Sequence, residues 1–99
     1  MLKISNNVFL SEDELELTAI RAQGAGGQNV NKVSSAIHLR FNIQESSLPD
    51  FYKQRLLALK DKRVSKEGVI ILKAQKFRTQ EKNRADALQR LTEIIQSVA

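Results

Sequence analysis

The sequence predicts an α+β domain: a small mixed or antiparallel sheet packed by two helices, in the order β-β-α-β-α, with an optional extra strand at the N-terminus. Three observations carry this. Two stretches, Leu15 to Ala22 and Ile37 to Ile43, alternate apolar and polar residues with a period of two. A short apolar run, Val69-Ile70-Ile71-Leu72, is bounded by Gly68 and Lys73. Near the C-terminus Ala87, Leu88, Leu91, Ile94, Ile95 and Val98 recur at three- and four-residue steps, the period of an amphipathic helix.

Taken in chain order, Ile4 to Leu10 (ISNNVFL) reads as a short edge strand. Ser11-Glu12-Asp13-Glu14 has the Ser-x-x-Glu form of a capping box, which fits a helical turn as well as a plain polar turn. In the first alternating strand Leu15, Leu17 and Ala19 share one face, opposite Glu16 and Thr18. In the second, Ile37, Leu39, Phe41 and Ile43 face inward, while His38, Arg40 and Asn42 face outward. The two strands are expected to pair as a hairpin around a loop of about a dozen residues, longer than the usual two to five. Ser46 and Ser47 offer an N-cap, with Pro49 in the first turn of a helix from Leu48 to Lys60. Its apolar face is expected to hold Phe51, Leu56, Leu57 and Leu59. The last helix is expected from Gln80 to Ser97.

Composition narrows the function classes. Ninety-nine residues make one core and one domain. There is no cysteine and only one histidine, His38, so disulfides, thiol chemistry and a metal centre are not expected, and the sequence calls for no cofactor. No apolar run approaches the length of a membrane span, and the start fits neither a signal nor a transit peptide, so a cytoplasmic protein is expected. Charge is uneven: residues 1–20 carry a net −3 and residues 21–99 a net +8. That asymmetry favours a polyanionic partner, with nucleic acid ahead of membrane.

The densest chemistry lies in Arg21 to Lys32, RAQGAGGQNVNK, where three glycines fall within four positions. A tight structural turn is one reading. Phosphate binding is another, but Asn29 and Val30 stand where a Walker loop needs Gly-Lys, and Asn29 breaks a dinucleotide fingerprint. A third reading is a main chain that must enter a crowded site. Gly26 and Gly27 lack a Cβ, so their amides can approach a substrate closely, and backbone N–H groups are good donors to an oxyanion. Gln28 adds an amide that donates and accepts but is no general base near pH 7.

These residues carry a resemblance. Gly26-Gly27-Gln28, within Gly24-Ala25-Gly26-Gly27-Gln28-x-Val30-Asn31, is similar to the GGQ motif of bacterial class I peptide chain release factors. Leu15 to Ala22 resembles that family's strand entering the loop, and Ser34 to Leu39 the strand leaving it. Ala74 to Ala87, with Arg78, Gln80 and Asn83, resembles a second family block, so the likeness spans roughly residues 12 to 97. Met1 lies only 25 residues before Gly26, leaving no room for a codon-recognition domain ahead of the loop. Ser46 to Lys66 stands where stop-codon readers have a short link. Both features resemble the ribosome-rescue branch of ArfB/YaeJ-like peptidyl-tRNA hydrolases. Residues 1–99 are then expected to form one GGQ catalytic domain. Two departures stand out: Asn29 replaces the histidine common after the glutamine, and the branch's basic C-terminal tail is absent from this chain.

The resemblance implies codon-independent hydrolysis of the ester of peptidyl-tRNA in the peptidyl-transferase centre of stalled ribosomes. It implies the ribosome, with its 23S rRNA, and peptidyl-tRNA as partners of a monomer. Gly26, Gly27 and Gln28 would be the catalytic residues. The Gln28 main-chain N–H would be the protein's donor to the reacting oxygens, one such donor being worth ~3–4 kcal/mol. The Gln28 side chain would orient the water. Proton movement would fall to RNA or water, since the loop holds no side chain of suitable pKa. Arg21, Gln23, Gly24, Ala25, Asn29, Asn31, Lys32, Arg78 and Gln80 would contact RNA, with Lys76 beside them. Lys53, Arg55, Lys60, Lys62, Arg63 and Lys66 make the inserted segment basic and offer a further ribosomal contact. A non-catalytic RNA-binding module and a hydrolase of free peptidyl-tRNA are the alternatives.

Overall fold

The computed structural model describes residues 1–21 and 35–99. Its strands are β1 (Leu2–Lys3), β2 (Phe9–Leu10), β3 (Leu15–Ile20), β4 (Ala36–Asn42) and β5 (Val69–Ala74), and its helices are α1 (Asp50–Ala58) and α2 (Gln80–Gln96). β3, β4 and β5 form a fully antiparallel sheet in that spatial order, with β4 in the centre. Alternation explains the centre strand well. Ala36, Ile37, Leu39 and Phe41 are buried, while Arg40 is exposed and His38 and Asn42 are half-buried. β3 lies at the edge, so its burial fades along its length: Leu15 is buried, Leu17 half-buried and Ala19 exposed.

The N-terminal strand differs from expectation. Ile4 to Leu10 is not one strand, because Ser5-Asn6-Asn7 folds back as a turn, with Ile4 N–H donating to Val8 O at 2.8 Å. β1 and β2 pair across it as a separate two-stranded sheet, Leu2 opposite Leu10 and Lys3 opposite Phe9. Ile4 and Leu10 enter the core, and Gln96 Nε2 donates to Ile4 O at 3.0 Å, fastening the hairpin to the end of α2. Ser11 then forms the expected capping box on a single 3-10 turn, Glu12–Glu14.

The inserted helix is shorter than expected and is oriented differently. Neither serine caps it. The Ser46 hydroxyl donates to Ile43 O at 2.7 Å, closing the preceding turn, and Ser47 reaches Glu14 instead. Pro49 occupies the N-cap position with no side-chain cap bond. The inward residues are Tyr52 and Leu56, one helical turn apart, whereas Phe51 and Leu57 are exposed. Phe51 packs against Tyr52, with ring centroids 4.4 Å apart, and lies beneath the Arg55 guanidinium. Gly68 ends the next loop at φ +81°, a left-handed conformation suited to glycine, and leads into β5. α2 runs across β4 and β5, burying Ala87, Leu91, Ile94 and Ile95 against Leu39, Phe41, Ile70 and Leu72 in one core. Among the described residues no helix is long and apolar enough to cross a membrane.

Candidate functional site at one end of the sheet

Strand register places the termini that matter together. Ile20 at the end of β3 lies opposite Ala36 at the start of β4, and Ile37 lies opposite Ala74 at the end of β5. The chain therefore enters and leaves residues 22–34 at the same sheet end from which the connection between β5 and α2 departs. Gln23, Gly24, Ala25, Gly26, Gly27, Gln28, Asn29, Asn31 and Lys32 lie outside the described residues.

The remaining candidates gather at this end. Arg21 is exposed directly after β3. Residues 75–80 form a continuous exposed stretch that includes Lys76, Arg78 and Gln80. Lys76 Nζ stands 5.5 Å from the centroid of the Phe77 ring, within cation–π range. Thr79 caps α2 by accepting the Lys82 N–H at 3.2 Å, and Gln80 opens the helix. A shallow groove of about 530 Å³ follows, lined by Phe77, Lys82, Ala85, Asp86 and Gln89. Cations with an exposed ring beside them suit a phosphate backbone and a stacked base.

What holds this end together is Asn83, which is fully buried. Its side-chain oxygen accepts the Phe77 N–H at 2.8 Å. Its amide nitrogen donates to Phe77 O at 2.9 Å and to Ser35 O at 2.8 Å. Both side-chain donors are satisfied, and the two carbonyls facing the nitrogen fix which way the amide points. Sequence reasoning placed Asn83 in the second block but gave it no task. A signal was available: Asn83 sits in step with Ala87, Leu91 and Ile95, a lone polar residue on the apolar stripe of α2. Such a residue has to be hydrogen-bonded when buried.

The inserted segment is less free than its charge suggests. Lys53 Nζ donates to Gln44 O at 3.0 Å, Arg55 donates to Val98 O at 2.9 Å, and Arg63 forms a two-point pair with Asp61 at 2.8 and 2.9 Å. The Arg63 side chain and main-chain hydrogen bonds hold the Asp61 carboxyl down at about 2, against an ordinary 3.8. Lys60, Lys62 and Lys66 are exposed. At the opposite end of the sheet, where Leu15 meets Phe41 and Asn42 meets Val69, Asp13, Glu14, Glu16 and Glu45 line one depression together with Arg40. Burial alone would raise the Glu14 carboxyl, but hydrogen bonds from Ser47 and Ser11 and the nearby Lys53 charge outweigh it, and its pKa is lowered. Among the described residues no three or more His, Asp or Glu side chains gather as metal ligands do.

Known proteins give this geometry a context. The RF-1 domain family matches residues 3–99. The chain is 70% identical over 95 residues to "Peptidyl-tRNA hydrolase ArfB" of Pseudomonas putida, covering 96% of this chain and 69% of that protein. It is 30% identical over 88 residues to "Large ribosomal subunit protein mL62" of Mus musculus, covering 88% of this chain and 43% of that one. It is 33% identical over 85 residues to "Peptide chain release factor 2" of Neorickettsia sennetsu, covering 86% of this chain and 17% of that one. Family match and relatives agree: the chain belongs to the RF-1 domain family, in its ArfB-like branch.

Proposed function

We propose that this protein hydrolyses the ester of peptidyl-tRNA on stalled ribosomes, without reading a stop codon, and so rescues them. One observation carries the reading: 70% identity, over 96% of the chain, to a protein named peptidyl-tRNA hydrolase. The sequence of residues 22–34 and the cationic end that flanks it agree with the same task.

Water attacks the ester carbonyl, the carbonyl oxygen becomes negative in the tetrahedral intermediate, and the ribose 3′ oxygen departs. Gly26 and Gly27 allow the main chain to come close, the Gln28 N–H donates to the reacting oxygens, and the Gln28 side chain orients the water. Arg21, Lys76 and Arg78, with Gln23, Gly24, Ala25, Asn29, Asn31, Lys32 and Gln80, contact ribosomal RNA or the tRNA end. Residues 1–99 act as one catalytic unit, a cytoplasmic monomer working in the peptidyl-transferase centre with ribosomal RNA completing the site.

The test is peptide release measured on two substrates, stalled ribosomes and free peptidyl-tRNA, and on stalled ribosomes with the Gln28→Ala variant. Release confined to ribosomes and largely lost in the variant is the expected result. Equal release from free peptidyl-tRNA points to a free-standing hydrolase, and binding without release points to an RNA-binding module.

A further inference from the structure

We propose that Asn83 is a positioning residue for this reaction: its buried carboxamide locks Ser35, immediately before β4, to the turn that presents Lys76, Phe77 and Arg78. The inference rests on the proposed function and adds to it a residue that touches no substrate.

Three hydrogen bonds join one side chain to two segments, one of them distant in sequence. The bond to Ser35 O spans 48 positions and is buried. The pair of bonds to Phe77, one accepted and one donated, ties down the main chain of the turn on both sides of that residue. Phe77 itself lies outside β5 and α2, so its peptide groups have no ladder or helix of their own to join, and Asn83 supplies their partners. Asn83 is in turn held by α2, whose N–H at that position bonds Thr79 O at 3.1 Å. The main chain on the β4 side is equally fixed, because Ala36 and Ile37 are paired to β3 and β5. A stiff frame thus surrounds one polar clamp.

An apolar residue here would leave the buried Ser35 carbonyl and the part-buried Phe77 N–H and carbonyl without their partners. Short of unfolding, the turn and the strand end would shift until water reached them. A displacement of about 1 Å at a supporting position can lower a rate by about 100-fold even far from the bond that breaks. The expected signature is a fall in the rate of the bound complex, beyond any change in binding.

The experiment compares Asn83→Ala with Leu56→Ala, a buried substitution on α1, which departs from the opposite end of the sheet. Thermal unfolding locates a temperature at which both are folded, and single-turnover peptide release on stalled ribosomes is measured there. Asn83→Ala is expected to lower the maximal rate by about 10- to 100-fold at saturating ribosomes, on top of any weaker half-saturation that a shift of Lys76 and Arg78 brings, while Leu56→Ala keeps the wild-type rate. Should Asn83→Ala fail to fold, Asn83→Ser, which retains a hydroxyl able to serve one carbonyl, takes its place, and an intermediate loss of maximal rate is expected. A maximal rate equal to that of Leu56→Ala overturns the inference alone. A loss confined to half-saturation does the same. Absence of release by the wild-type chain overturns the proposed function as well, and that arm keeps the two failures distinguishable.

Discussion

Glu14 receives both the main-chain N–H of Ser47 at 2.7 Å and its hydroxyl at 2.9 Å, across 33 positions of sequence. The same carboxylate accepts the Ser11 N–H at 3.2 Å, so one side chain closes the capping box and holds the approach to α1. Glu14→Ala removes three acceptor contacts and is expected to cost roughly 1–2 kcal/mol of stability, read by urea denaturation. Because folding lowers the Glu14 pKa, its contribution is present above the unfolded value and fades as pH falls through the folded one. Catalysis per folded molecule is expected to stay at the wild-type level.

Asp61 makes a sharper pH prediction. Its carboxyl should titrate at about 2, and the stabilisation it gives the loop before β5 should be lost as pH drops from 3.8 toward that value. Carboxyl carbon shifts followed by NMR give the pKa directly. Arg63→Ala should bring it back toward 3.8. Solvent reaches both partners, so the global stability change is expected to stay below about 1 kcal/mol.

Gly68 tests a backbone constraint. At φ +81° any Cβ is strained, and the one added by Gly68→Ala would stand 2.8 Å from a terminal methyl carbon of Leu57. Leu57 is partly exposed and its tip can move aside, so the backbone term dominates, at about 1–2 kcal/mol. Thermal unfolding checks this, with Leu57→Ala in the same background expected to recover little.

Lys76 and Arg78 should carry salt-dependent affinity rather than chemistry. Replacing each by alanine is expected to weaken ribosome binding and lower the slope of log affinity against log salt by about one per lost phosphate contact. Binding titrations at several salt concentrations decide it. An unchanged slope would mean that neither cation meets a phosphate.

Gly27→Ala should lower release more than Gln28→Ala does. The first adds a Cβ where close approach is needed, whereas the second leaves the Gln28 main-chain N–H in place. Release rates on saturating stalled ribosomes compare the two.

The sheet was legible because period-two alternation in β3 and β4 and the short run in β5 report directly which side chains are buried. α2 was legible for the same reason at the helical period. The errors fell where patterns are too short to average. At α1, Leu56 and Leu59 pack inward as expected, but Phe51 and Leu57 do not, and tertiary packing set Tyr52 beside Leu56 instead. At the N-terminus three polar residues, Ser5-Asn6-Asn7, decided for a hairpin over a strand. The cationic residues of the candidate site were visible as charges, but their gathering at one sheet end came from register, and Asn83's role came from contacts between segments far apart in sequence. The exposed-looking cations Arg55 and Arg63 proved to have protein partners, which charge counting does not reveal.

The opposed ends of the small sheet have one more consequence. Arg21, Lys76 and Arg78 stand at one end, and the exposed Lys60, Lys62 and Lys66 belong to the connection that leaves and rejoins the sheet at the other, beyond the carboxylates Asp13, Glu14, Glu16 and Glu45. A body with cations at both ends can meet a large polyanion at two points rather than one. Contacts made at both ends at once would fix the direction of the strands, where a single cationic tip would leave the body free to swing.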